Sequence, residues 1–214
     1  MQMESARARF IARVQVIDIG HKEDLERLRH LEADPEVFFK LDHRRARDAS
    51  LEVNVPQAPA REDPAVRRQV RRNGYGEGDI ARELFHLARM HRAVPDSVAK
   101  PLAAIVSDGK ILGYAMGRIN GMTLQKYLGL YSDSLVSRED LDQVHARIRS
   151  VFKALHRKRI GHGDAIDRNI IIADGDRVVL IDPSSRSQVY TSYNGIRYSR
   201  IARDRIQLSE LLRE

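Results

Sequence analysis

Cysteine is absent from the 214 residues, which excludes a disulfide framework and any thiolate metal site. That absence fits a reducing compartment. No run of eighteen apolar residues occurs, so no membrane-spanning helix is expected. The opening MQMESARARF has no apolar core and predicts no secretory signal. These absences together lead to the expectation of a cytoplasmic protein. Internal repeats and low-complexity tracts are also lacking. What is abundant is positive charge: the net charge is +7 and the pI is near 9.8. That balance points to an anionic partner, whether nucleotide, nucleic acid or an acidic surface. Apolar residues make up 42% of the chain, enough for a core in one large or two small domains.

The most informative stretch runs from Ile160 to Ser184, IGHGDAIDRNIIIADGDRVVLIDPS. The apolar run Asn169–Ala173 predicts a buried strand, Asp174-Gly175-Asp176 a turn, and Arg177–Ile181 a second strand. Such a hairpin carries Asn169 and Asp182 at one end of paired strands, with Asp164 on the loop just before. Phosphoryl transfer needs a carboxylate to accept or orient the proton of the attacking hydroxyl. It also needs hard oxygen ligands that hold magnesium against nucleotide phosphates. On this chemistry Asp164 is the candidate base, and Asn169 and Asp182 are the candidate magnesium ligands.

His162, Asp164 and Asn169 resemble the protein-kinase catalytic loop H-x-D-x-x-x-x-N, and Asp182 resembles the metal-binding Asp of D-F-G. Gly163 stands where many kinases have Arg. His-Gly-Asp here is similar to aminoglycoside and sugar phosphotransferases, and Ile181-Asp182-Pro183-Ser184 is closer to the RIO-type atypical kinases. The resemblance is strong over Leu155–Ser184 and weak over the rest, from about Val37 onward. It implies an α+β, two-lobed protein-kinase-like fold with a small β-rich N-lobe and a reduced helical C-lobe. The N-lobe would span 1–115, with a basic insertion at about 42–78. The hinge would be 116–121, and 122–214 would form the C-lobe. The sequence after Asp182 is short beside the several helices with which ordinary protein kinases bind an extended peptide. RIO-type kinases share that reduction.

The resemblance also assigns residues outside the loop. The strand Glu36–Leu41 resembles the kinase V-A-I-K strand, so Lys40 would hold the α- and β-phosphates. An ordinary strand lysine is the other reading. Asp79–Arg92 predicts a helix with Ile80, Leu84, Leu87 and His91 on one face and Asp79 as cap. It resembles the kinase αC helix, whose Glu83 would pair with Lys40. A local pair with a nearby Arg is the other reading of Glu83, and Glu77 is a second acid in reach of that role. Met116–Leu124 resembles the hinge, where the backbone of Met116, Gly117, Arg118 and Ile119 would read the adenine. A Gly-containing linker predicts the same letters. The phosphate-covering G-x-G-x-x-G loop is missing, because Gly20 is the only glycine before Lys40. Glycine there lets backbone N–H groups approach phosphate. Its loss is the main feature that a non-catalytic relative would share.

Other segments follow local patterns. Phe10–Ile19 predicts a strand closed by Gly20, His21–Leu31 an amphipathic helix, and Leu102–Ser107 with Lys110–Ala115 a hairpin around Asp108-Gly109. Thr123–Leu130 predicts a capped helix. Ser137–Asp140 is a capping box before a helix whose stripe is Leu141, Val144, Ile148, Val151, Phe152 and Leu155. The Arg-rich segment from Asp42 to Gly78 predicts a solvated insertion or a docking surface for an acidic partner or RNA, with almost no aromatic residue for base stacking. Asp204–Leu212 predicts the last helix, and Arg203-Asp204 resembles the Arg-Asp of RIO domains, where the Asp braces the catalytic loop. Pro183 biases Asp182 toward extended backbone and a fixed orientation. Gly163 predicts activity independent of an activation-loop phosphate. The hydroxyl-rich segment Ser184–Tyr193 offers candidate autophosphorylation sites.

The expected function is therefore a magnesium- and ATP-dependent phosphotransferase of the atypical serine/threonine-protein kinase type. Its acceptor is a hydroxyl of a protein. Two alternatives stay open: a small-molecule (sugar or antibiotic) kinase, and a non-catalytic pseudokinase or ATP-binding scaffold.

Overall fold

In the computed structural model the described residues are 14–41, 79–108, 110–184, 189–191 and 197–212. The Arg-rich segment, Glu77 and most of the hydroxyl-rich segment (Ser185, Ser187, Ser192, Tyr193) lie outside them. The chain is a mixed α+β protein. Its elements are β1 (Gln15–Asp18), α1 (Lys22–Ala33), β2 (Val37–Leu41), α2 (Asp79–Ala93), β3 (Pro101–Ser107), β4 (Lys110–Gly117), β5 (Gly121–Thr123), α3 (Leu124–Ser132), α4 (Arg138–Arg157), β6 (Ile170–Ala173), β7 (Arg177–Leu180), β8 (Val189–Thr191), β9 (Arg197–Ser199) and α5 (Arg200–Leu211). Among the described residues no helix is long and apolar enough to cross a membrane.

Two compact units divide the chain. One takes residues up to Arg82 together with Leu102–Met116, and the other takes Glu83–Pro101 and everything from Gly117 onward.

The first unit is built on a four-stranded sheet ordered β1-β3-β4-β2, in which β1 runs parallel to β3 with Gln15 opposite Ala103. Parallel neighbours need a crossover, and α1 lies in that crossover. Leu28 of α1 packs with Ile17, Phe39, Ala103, Ile105 and Ala115, and Leu31 joins from the edge. This pattern explains why only one side of α1 is apolar. Gly113 in β4 lets β2 come close: a methyl there would run into the carbonyl of Lys40 and the side chain of Leu41. β3 and β4 are joined by two residues, with Asp108 at φ 49°, as the Asp-Gly pair predicts.

The second unit holds the three-stranded sheet β5-β6-β7 and helices α3 to α5. β6 and β7 are antiparallel, with Ile170 opposite Leu180. Gly175 (φ 67°) and Asp176 (φ 52°) turn the chain between them. β5 pairs with the other edge of β6, Met122 opposite Ile172. The hinge-like stretch is therefore not plain linker. Met116 and Gly117 close β4, and Gly121–Thr123 form β5.

α4 begins with the predicted capping box, Ser137 and Asp140 bonding each other's backbone reciprocally. Its buried stripe is Leu141, Val144, Ile148, Phe152 and Leu155, with His145 among them. Val151 lies at the margin of that stripe. α5 starts earlier than predicted. Ser199 accepts the Ala202 N–H as its cap, so Arg203 and Asp204 sit inside the helix and do not open it. Ser is a favoured N-cap, and its position at 199 sets the register.

Candidate active site

α4 delivers the chain into the loop. After Arg157 the helix ends with Lys158 and Arg159 bonded back to Leu155 and His156, and Arg159 adopts φ 57°. Gly161 then passes against the start of α5, where an added methyl would lie 2.6 Å from the Ile201 nitrogen and 2.8 Å from the Arg200 carbonyl carbon. Only glycine permits that approach. The Gly161 carbonyl accepts a 2.6 Å hydrogen bond from Nε2 of His86 on α2. Burial, followed by the charge of Arg200, lowers the His86 pKa to about 3, against the opposing effect of the Gly161 bond. His86 is thus a neutral structural donor.

Asp204 is the anchor of the loop. It is fully buried, and its carboxylate accepts three bonds: from the backbone N–H of His162 (2.8 Å), the backbone N–H of Gly163 (2.6 Å) and Nε2 of His156 (3.0 Å). Gly163 adopts φ 82°, a conformation that favours glycine, and this aims two successive N–H groups at one carboxylate. His156, isolated in the sequence, is a partner of this anchor.

His162 is also fully buried. Its Nδ1 accepts the Asp164 N–H at 3.2 Å, so Nε2 carries the proton and donates to the Ile181 carbonyl at 2.8 Å. Burial lowers its pKa, and the charges of Asp204, Asp164 and Asp182 together with the Ile181 bond oppose that shift. The ring ties the loop to the end of β7 and is no general base. Two further backbone bonds complete the stitching, Ile181 N–H to the Asn169 carbonyl (3.0 Å) and Ser184 N–H to the His162 carbonyl (3.1 Å).

Asp164 emerges from this frame with its side chain about a third exposed. Its Oδ1 accepts from an Arg203 guanidinium nitrogen at 3.2 Å, and its Oδ2 from Nδ2 of Asn169 at 3.0 Å. The same Asn169 nitrogen also lies 3.0 Å from the Asp164 carbonyl. The Ala165 N–H donates to Oε1 of Gln207. Arg203, Asp204 and Gln207 therefore grip the loop from successive positions of one face of α5. Their spacing, neighbours and then i, i+4, was the available signal for Arg203 and Gln207. Nothing local marks which loop that face would meet.

Asn169 is buried in a single turn just before β6. Its Nδ2 donates to Asp164 twice, to the backbone carbonyl and to the carboxylate. Asp182 follows β7 with φ 51°. This corrects the expectation that Pro183 would hold it extended. The peptides on either side of it are pinned, Ile181 by Asn169 and His162, and Ser184 by His162. Those bonds outweigh the pre-proline bias. Asp is among the few non-glycine residues that visit this region, typically at a cost of about 1–3 kcal/mol.

The donor set suits a hard cation with few protein ligands: an amide oxygen from Asn169 and a carboxylate from Asp182, with the remaining positions left for water and phosphate. No cluster of three or more His, Asp or Glu residues able to hold a metal occurs among the described residues.

The other expected residues lie on other elements of the chain. Lys40 is half-buried near the end of β2 in the first unit. Glu83 is buried on α2 at the start of the second unit. Met116 and Gly117 end β4, while Arg118 and Ile119 lie in the link to β5, with Ile119 packed against Ile171, Ala173 and Val179. No protein-family model matches this chain, and no curated protein matches it.

Proposed function

We propose that this chain is an ATP-dependent phosphotransferase of the atypical protein-kinase type, with a two-lobed kinase-like arrangement. The observation that carries this reading is the setting of Asp164. It is a half-buried carboxylate fixed by Asn169 and Arg203 on a loop that Asp204 anchors from beneath. Asp164 would accept the proton of an acceptor hydroxyl as its oxygen attacks the γ-phosphorus and ADP leaves. Asn169 and Asp182 would hold magnesium, which supplies charge neutralisation on the phosphates. Lys40 would contact the α- and β-phosphates, Glu83 would orient that lysine, and the backbone of Met116, Gly117, Arg118 and Ile119 would read the adenine. The acceptor is a protein serine or threonine hydroxyl.

The missing glycine-rich loop favours a second reading, a non-catalytic ATP-binding scaffold. One pair of measurements separates the two: thermal melting with Mg-ATP, and single-turnover transfer of labelled γ-phosphate to a mixture of proteins. With ligand at 100 times Kd, a magnesium-dependent stabilisation of about 2.7 kcal/mol is expected, and it should vanish in Asp182→Asn. Asp164→Asn should keep the stabilisation and lose transfer by at least about a hundredfold. Stabilisation without transfer in the wild type selects the scaffold. Transfer to sugars or aminoglycosides alone selects the small-molecule kinase. No stabilisation at millimolar Mg-ATP removes the ATP reading altogether.

A further inference from the structure

α4 and α5 enclose a shallow, open cleft of about 500 Å³ whose character differs from that of the candidate active site. Arg149, Lys153 and Arg157 line one wall from α4, and Arg205 lines the other from α5, with Phe152 and Leu208 between. All four cations are exposed. None of them has a carboxylate within ion-pairing distance among the described residues, whereas Arg27, Arg82, Arg138 and Arg147 each have one. His156 also borders the cleft, but its Nε2 is committed to the buried Asp204. The three α4 cations recur every four residues, so they stand in a row on one helix face. Like charges at that spacing repel and disfavour the helix that carries them.

We propose that this cleft is a docking surface for the phosphate backbone of a double-stranded nucleic acid, read without regard to sequence. The row rises by about 6 Å per step and about 12 Å in all. That length covers about three or four base-pair steps along a duplex axis, at 3.4 Å per nucleotide of one strand. A single free phosphate would call for converging donors, whereas three of the four cations here stand in a row along α4. A single strand would call for exposed aromatic faces on which bases stack. The aromatic residue here, Phe152, is 1% exposed and belongs to the core. A protein partner would call for apolar anchors at the centre, and the cleft offers only Leu208, half-buried. Unpaired positive charge in a line, with nothing to stack or bury, suits a polyphosphate backbone. The net charge of +7 points the same way.

The test uses the full chain and a labelled 20-base-pair duplex, with affinity measured by fluorescence anisotropy from 50 to 200 mM salt. Four phosphate contacts contribute a slope of about −3.6 in log affinity against log salt, or about a hundredfold over that range. The variant Arg149→Gln/Lys153→Gln/Arg157→Gln/Arg205→Gln should lose that part of the slope while melting like the wild type. A milder variant, Arg149→Gln/Lys153→Gln, should lose about half of it. Neutralising Arg67, Arg68, Arg71 and Arg72 in the Arg-rich segment should leave the cleft's share in place. Wild-type affinity and slope in the quadruple variant would overturn the proposal. So would tighter binding of a polyglutamate peptide or a single strand than of the duplex at equal salt. The measurement needs no ATP, so its result is independent of the phosphotransfer reading.

Discussion

The sheet of the first unit and the loop 160–169 of the second are both well buried, but they are held by opposite means. Between the sheet and α1, the side chains of Ile17, Leu28, Phe39 and Ile105 meet through apolar contact. At the loop, the buried polar side chains are His162 and Asn169 together with Asp204 of α5, and each makes directed bonds. Apolar packing tolerates small displacements, while a buried polar group that loses its partner costs its full desolvation. The loop is therefore the more brittle region, and the more exactingly placed one, as a site that must aim one carboxylate would need.

Removing the anchor should give the largest effect. Asp204→Ala leaves the His162 and Gly163 N–H groups and the His156 ring without their acceptor, at an expected cost of about 3–5 kcal/mol. For a chain of this size that lowers the Tm by about 6–20 °C. Ile105→Ala, a cavity in the sheet, should cost about 2–5 kcal/mol, yet leave the proposed phosphate transfer, measured per folded molecule, unchanged. Equal activity loss in the two variants would erase the distinction between an aiming region and a supporting one.

The two regions also differ in how well they can be read from letters. The strands of the sheet, the extent of α2 and the α4 stripe follow periods of two and 3.6, which are local and so legible, although the buried face of α2 takes in Glu83, His86 and Met90 while Ile80 and His91 lie at its margin. The loop was legible only as a motif: Asp164, Asn169 and Asp182 at set spacings. Of what places it, the bracing by Asp204 was expected from the resemblance, and the rest was not legible. The bonds from His86 to Gly161 and from Arg203 to Asp164 join residues far apart in sequence, and no periodicity announces them. The parallel pairing of β1 with β3 was hidden for the same reason, and the conformation of Asp182 was misread because the pre-proline bias is local while the bonds that override it are not.

Two glycines sharpen the contrast. Gly161→Ala forces a methyl against the backbone of Arg200 and Ile201, which cannot rotate away, at about 1–3 kcal/mol. The start of α5 must shift, and Arg203 and Asp204 shift with it, so transfer should fall further than stability. Gly129→Ala, in an exposed turn of α3 with nothing within 4 Å, should instead stabilise by about 0.5–1 kcal/mol. Circular dichroism melts of both variants check the pair, and a stabilised Gly161→Ala would show that the close approach is dispensable.

Acid should unsettle the loop more than the sheet. In the folded chain His86 binds a proton only near pH 3, while in the unfolded chain it does so near 6.5. Below pH 6.5 the unfolded state therefore gains a proton that the folded state refuses. The stabilisation is complete above 6.5 and is lost progressively toward 3, by about 2 kcal/mol between pH 7 and pH 5. His162, lowered in the same direction by burial, adds to the trend. Urea unfolding at the two pH values measures it. His86→Gln, which keeps a donor for Gly161 but does not titrate, should be less acid-sensitive, and an unchanged acid response would remove His86 as its source.

The smallest expected effect lies where α4 meets the β6–β7 turn. Arg147 donates to the carbonyls of Asp176 (2.7 Å) and Gly175 (3.3 Å), and also lies 3.1 Å from the Asp176 carboxylate. Both side chains are largely exposed, so the ion pair itself is worth little and is screened by salt. The bonds to the carbonyls hold a turn in which Gly175 and Asp176 both have positive φ. Arg147→Ala should cost about 0.5–1 kcal/mol, most of it from the carbonyl bonds. Arg147→Gln keeps a donor and drops the charge, so it should recover much of the loss. If raising the salt from 0.05 to 0.5 M removes the difference between wild type and Arg147→Ala, the charge carries the contact and the carbonyl bonds do not. This outer contact would then be held neither as the sheet is nor as the loop is, but by screened attraction alone.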